Sequence, residues 1–186
     1  MEEIDLSEYG IIEKMFYSPK KEQIILGIKN LKEKGVKDED TKELISLYAD
    51  NKFFSEQMQQ FRFGIKNLID KGVSVAETKE LISLYANEKF RNKQMQDIRL
   101  GIEYLIGKGL SFAETKELIS LYADEKFNWN QMTLIRRAIE SDLSKEHIKL
   151  IANPNFSADE MYSLIYFFTE FKTDLPMSKN KFLMFI

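Results

Sequence analysis

Residues 77–86 read Glu77-Thr78-Lys79-Glu80-Leu81-Ile82-Ser83-Leu84-Tyr85-Ala86, and the same ten letters return without change at 114–123. A close copy occupies 40–49, so the step is 37 residues each time. Other positions keep that step. Phe16, Phe53, Phe90 and Phe127 recur, as do Gly27, Gly64 and Gly101, and then Gly35, Gly72 and Gly109. A fourth copy is shortened, because Leu150-Ile151-Ala152-Asn153-Pro154-Asn155-Phe156 follows the third after only 29 residues. The loss is expected between Ile139 and Leu143, as one helical turn plus its loop. A period of 37 falls among helical-hairpin repeats, whose units cannot bury their apolar faces alone.

Each unit holds two amphipathic segments. In the first, expected over 92–108, Met95, Ile98, Ile102, Leu105 and Ile106 form one stripe of a 3.6-residue helix. Gly109 follows, where a left-handed C-cap favours a residue without Cβ. Ser111 with Glu114, and Ser74 with Glu77, then spell a capping box. The second segment is expected over 112–124, with Leu118, Leu121 and Tyr122 as its apolar stripe, flanked by Ile119. Ser18-Pro19 reads as cap and first helical residue. No strand-like alternation persists. The expected fold is all-α: an α-solenoid of stacked helix-turn-helix repeats of 37 residues, the last full repeat shortened. Its single domain spans 1–186, with an N-terminal half-unit over 1–17, four helix pairs over 18–156, and a C-terminal helix and tail over 157–186.

Composition removes most ordinary chemistry. The 186 residues carry 27 Lys and Arg against 30 Asp and Glu, a net charge of −3, unlike a protein built mainly to coat nucleic acid. Without Cys there is no disulfide, thiolate zinc site or cysteine nucleophile. One His leaves no multi-histidine metal site, and no Gly-rich phosphate loop follows a strand. No apolar run reaches a membrane span, and the acidic start is unlike a signal peptide. The expected setting is cytoplasmic, with no cofactor and no metal.

The pattern Tyr85-Ala86-x-x-x-Phe90-x-x-x-Gln94-Met95-x-x-Ile98-Arg99-x-Gly101-Ile102, followed by Lys108-Gly109-Leu110-Ser111, resembles a short helical repeat of uncharacterised proteins from Gram-positive gut bacteria and their phages and mobile elements. The likeness covers 48–161; the fourth copy departs from it, with Ile151 for the Tyr and Asp142 for the cap Gly. The resemblance implies a mobile-element accessory protein. Small target-binding proteins of such elements include anti-defence factors, inhibitors of CRISPR nucleases among them. It implies no catalytic site.

Candidate residues divide between packing and binding. His147 has no nucleophile or orienting partner at helical spacing. Glu77 and Glu114 are accounted for by capping, and Glu80 and Glu117 by a solvated face. Met58, Met95, Met132 and Met161 share the core phase. Turning about 100° per residue from Met95 puts Leu100 at about 140° and Tyr104 at about 180°. Leu26 and Phe63 correspond to Leu100, so an apolar ridge recurs opposite the core stripe. It is either contact between repeats or a groove for a protein partner. Trp129 has no aromatic counterpart in the other copies; it either fills space beside the shortened hairpin or joins this surface. Arg62, Arg99 and Arg136 align at the repeat interval, and with Arg137 they offer a nucleic-acid alternative. Otherwise each neutralises an acidic neighbour. The C-terminal aromatics Tyr162, Tyr166, Phe167, Phe168, Phe171, Phe182 and Phe185 either cap the array or form a homodimer interface, leaving monomer and homodimer both open.

Overall fold

The computed structural model describes residues 4–171. Among them the regular structure is entirely helical. Two 3₁₀ turns, Leu6–Tyr9 and Glu13–Met15, precede α1 (Ser18–Glu33), α2 (Asp38–Ser46), α3 (Ser55–Asp70), α4 (Val75–Ser83), α5 (Asn92–Gly107), α6 (Phe112–Ser120), α7 (Trp129–Glu140), α8 (Lys145–Ile151) and α9 (Ala158–Phe171). Each odd-numbered helix from α1 to α7 packs on the even-numbered helix after it. The odd-numbered helices also pack on one another in series, α1 on α3, α3 on α5, α5 on α7 and α7 on α9.

The core forms where the odd helices turn their periodic faces inward. Ile24, Ile28, Met58, Phe61, Met95, Ile98, Met132, Ile135 and Met161 are all fully buried. Phe61 lies between two tyrosines of successive hairpins, stacked on Tyr48 and Tyr85 with ring centroids 5.8 and 5.4 Å away. Phe53, Phe90 and Phe127 close the corners before α3, α5 and α7.

Every Tyr of this series reaches back to a glycine. A Cβ placed on Gly27, Gly64 or Gly101 would lie 1.9, 2.2 or 2.1 Å from the hydroxyl of Tyr48, Tyr85 or Tyr122. The hydroxyls of Tyr48 and Tyr122 donate to the carbonyls of Gln23 and Asp97, one turn before the glycine, at 3.4 and 3.3 Å. The fourth pair carries the matching exchange: Ala138 stands in the glycine position and Ile151 in the tyrosine position, both buried. A side chain without the phenol leaves room for a methyl group.

Several expectations meet a different local structure. The second segments end early, α6 at Ser120, because Tyr122 N–H bonds Ile119 O and tightens the chain so that the ring turns inward. The shortening of the fourth copy is split. The helix α7 has 12 residues where α5 has 16, and α8 and its loop lose the remainder. Tyr17, not Ser18, is the N-cap of α1. The N-terminal half-unit is two 3₁₀ turns rather than a helix, since Gly10 adopts a left-handed φ of 72° between them. The cap positions Gly72, Gly109 and Asp142 do have positive φ, 76°, 83° and 55°. Phe182 and Phe185, like the whole tail after residue 171, lie outside the described residues, and so does the side chain of Phe171.

Candidate functional site

Two features of the odd-helix layer face solvent and are not demanded by packing. The first is the recurrent ridge. Leu26, Phe63 and Leu100 sit at the ninth residue of α1, α3 and α5, half-buried and outside the core cluster. The same position holds exposed Arg137 in α7 and Tyr166, 57% exposed, in α9. Phe63 lies between two guanidinium groups. The Arg62 and Arg99 guanidinium carbons are 4.4 and 5.8 Å from its ring centroid.

The second is the row of helix starts. N-cap positions favour Ser, Thr, Asp or Asn, and replacing such a cap costs about 1 kcal/mol. Here Tyr17 and Phe54 occupy them, 53% and 67% exposed, and Arg91 takes the third. The fourth, Asn128, caps with its own side chain, accepting from Gln131 N–H at 3.0 Å, and Ser157 before α9 does likewise from Glu160 N–H at 3.2 Å. Trp129, 41% exposed, begins α7 beside Asn128, with the Lys93 ammonium 4.4 Å from its ring. It does not fill the gap beside the short hairpin. Tyr17 and Phe54 are readable in the sequence only once the cap position is known, because an aromatic there looks like one more apolar residue of the helix.

A buried glutamine caps α3 and α5, joins Asn128 in capping α7, and in all three ties one hairpin to the next. The Gln57, Gln94 and Gln131 Oε1 atoms accept the N-cap N–H of Phe54, Arg91 and Asn128, each at 2.8 Å. Their Nε2 atoms donate to Phe90, Phe127 and Phe156 carbonyls at 2.7, 2.8 and 2.8 Å. At the matching position of α1, Lys20 makes only the tie, donating to Asn51 O at 2.7 Å, because an ammonium has no acceptor for the N-cap N–H.

The arginine column is stitched into the stack. Arg62, Arg99 and Arg136 each donate through Nε to the preceding odd helix, to Gln23, Gln60 and Asp97 at 3.0, 3.1 and 2.9 Å. Arg99 is 8% exposed and pairs with Glu103 at 2.6 Å; Arg136 pairs with Glu140 at 2.5 Å. Burial alone would lower the Arg136 pKa, but Asp97 and Glu140 together raise it above its ordinary value. Arg62 has no such acidic support, and burial holds its pKa below the ordinary value, offset in part by Tyr48 and Glu22. Arg137 alone of the four projects into solvent. Tyr104 is likewise a tie: its hydroxyl donates to Glu140 O at 3.1 Å and lies 3.3 Å from Asp142 Oδ1.

The carboxylates considered for chemistry are structural. Glu77 and Glu114 complete capping boxes, and hydrogen bonds from Ser111 hold the Glu114 carboxyl below its usual pKa. Glu43, Glu80 and Glu117 pair with Lys79, Lys116 and Lys145 of the following hairpin. His147 stacks on Phe168 with centroids 4.0 Å apart. Among the described residues no cluster of acidic or imidazole side chains is placed to hold a metal, and no helix is long and apolar enough to cross a membrane. No protein-family model, curated protein or solved structure matches the chain.

Proposed function

We propose that this chain is a non-enzymatic protein-binding module, an α-solenoid of 37-residue helical hairpins whose odd-helix layer receives the partner. The observation that carries the reading is the column Leu26, Phe63 and Leu100. Three apolar side chains recur at one helical position, half-exposed and outside the core cluster. A solvated face has no need of them, and aromatic residues in such places are typical interface anchors. The exposed Tyr17, Phe54 and Trp129 at the helix starts extend the same layer. Nucleic acid is the weaker reading, since Arg99 and Arg136 direct their donors to neighbouring side chains rather than outward. Service to a phage or mobile element, including an anti-defence role, rests on the sequence resemblance alone.

The double variant Phe63→Ala, Leu100→Ala tests the reading. Wild-type and variant chains serve as parallel baits in proximity cross-linking with mass spectrometry, alongside thermal melts. A partner enriched by wild type and lost with the variant, at nearly unchanged melting temperature, is the expected result. A variant that melts far below wild type would place these residues in the inter-hairpin core instead.

A further inference from the structure

The apolar ridge changes its charged company along the array. Three residues beyond Leu26 and Phe63 stand Lys29 and Lys66, both half-exposed. At the same step beyond Leu100 and Arg137 the chain carries Glu103 and Glu140. Those carboxylates are engaged within their own helices, by Arg99 and Arg136 at 2.6 and 2.5 Å. The pairs neutralise one another and leave Arg137, exposed at the fourth step of the ridge. On the other flank, four residues before the ridge, Glu22 is exposed on α1, while Gln59 and Gln96 are neutral. Lys66 shares Asp70 with Lys34, an exposed arrangement that gives up a partner at little cost. The strip along the ridge is therefore net positive, in a chain whose net charge is −3.

Spacing restricts what lies along such a strip. Packed helices stand about 8–10 Å apart, and α1, α3 and α5 pack in series. Successive ridge side chains are thus separated by about the same distance. An α-helix advances about 10.5 Å in seven residues and returns to the same face within about 20°. An extended strand covers the interval in about three residues, which turns its second anchor to the opposite face. A helix is also about 10–12 Å wide with its side chains, so one lying across the odd helices reaches the lysines about 4.5 Å beyond the ridge.

We propose, on the protein-binding reading above, that the partner segment is an amphipathic α-helix crossing α1, α3 and α5, with apolar residues at seven-residue intervals on Leu26, Phe63 and Leu100 and acidic residues toward Lys29, Lys66 and Arg137. The apolar contacts supply the affinity of a helix seated on a hydrophobic surface. The cations select its charge and fix its direction. A carboxylate one heptad past the last apolar anchor meets Arg137, and carboxylates on one flank of the first two anchors meet Lys29 and Lys66.

The test measures binding of defined helices to the full chain by fluorescence anisotropy, with a melting temperature recorded for every variant. The acidic probe is a hydrocarbon-stapled peptide with leucines at three successive seventh positions, a glutamate at the next, and glutamates on one flank of the leucines. Its counterpart has lysine for each glutamate. The acidic probe is expected to bind saturably, at least about tenfold more tightly than the lysine probe. In the triple variant Lys29→Glu, Lys66→Glu, Arg137→Glu, all surface changes, the preference should reverse at nearly unchanged melting temperature. No binding of the acidic probe, equal binding of the two probes, or an unreversed preference in the triple variant overturns the proposal.

Two further outcomes put another occupant on the ridge and overturn it as well. One is a proline-rich peptide of the same charge that binds as tightly as the acidic helix. The other is a chain that sediments as a dimer and becomes monomeric in Phe63→Ala, Leu100→Ala. A cross-linked partner lost with that double variant, while the acidic probe fails to bind wild type, would keep the ridge as a protein-binding surface and remove the helix from it.

Discussion

Replacing Gly101 by Ala puts a methyl carbon 2.1 Å from the Tyr122 hydroxyl oxygen and 3.0 Å from Ile119 Cδ1. The first approach is far inside van der Waals contact, and Tyr122 is fully buried, so its ring has nowhere to retreat without moving α6. Overpacking of this kind costs about 1–3 kcal/mol or more. The helix interior returns about 1 kcal/mol, because Ala is the better helix former. With the cost at its upper end, since the ring cannot retreat, the net expectation is a loss of about 2 kcal/mol, or about 4–8 °C in melting temperature for a chain of this size. The decisive measurement is a double-mutant cycle with Tyr122→Phe, read by urea and thermal unfolding at 222 nm. Tyr122→Phe alone gives up the 3.3 Å bond to Asp97 O, worth about 1 kcal/mol. In the double variant the new methyl meets only Ile119 Cδ1 at 3.0 Å and the ring carbon Cζ at 3.4 Å. A flexible isoleucine terminus can yield that much. A favourable coupling of about 1–2 kcal/mol is expected, in line with the Ala138 and Ile151 combination of the fourth pair. Additive effects, or a Gly101→Ala chain as stable as wild type, would refute the close-approach argument.

Thr78 is fully buried with its hydroxyl unpartnered, and the fourth copy has Ile148 there; Thr78→Val should therefore raise stability by about 1 kcal/mol, measured as a shift of the urea midpoint at constant slope. Gln94→Ala removes both the cap of Arg91 N–H and the donor to Phe127 O, and should cost about 2–3 kcal/mol, whereas the exposed neighbour Gln96→Ala should change little. Burial raises the Tyr48, Tyr85 and Tyr122 pKa values well above the ordinary value near 10. The unfolded chain then releases these protons first, so their contribution is complete below about pH 10 and falls as pH rises beyond it. Tyrosinate absorbance at 295 nm should show these three rings ionising together with loss of helix, not before it.

The sequence was most legible where one residue answers to its own local partner. Ser74 with Glu77 and Ser111 with Glu114 are capping boxes in the structure as in the letters, since both partners lie within one helical turn. The core phase of Met58, Met95, Met132 and Met161 was readable for the same reason: helical periodicity assigns a face without reference to any other segment. Helix ends were less so. Leu121 and Tyr122 continue the apolar stripe, yet α6 stops at Ser120, because burying the Tyr122 ring against Gly101 outweighs one more helical turn.

What the sequence by itself determined is the period, the two helices within it, and the inward residues of the first, because each is a property of one stretch of chain repeated; in the second helix Ile119 is fully buried, while Leu118 and Leu121, the expected stripe, are half-buried. What the tertiary structure decided is which columns meet. Arg62, Arg99 and Arg136 read as an aligned cationic stripe, but stacking places each guanidinium against a residue 39 positions earlier, Gln23, Gln60 or Asp97. Gln57, Gln94 and Gln131 recur at the 37-residue step, and each reaches a carbonyl of the following hairpin. A period fixes the spacing between copies but not the axial offset at which neighbouring helices settle. That offset is set by volume, with Gly27, Gly64 and Gly101 admitting Tyr48, Tyr85 and Tyr122 at a single depth. Pairing across copies follows from that depth, and with it the partner that each arginine of the column meets.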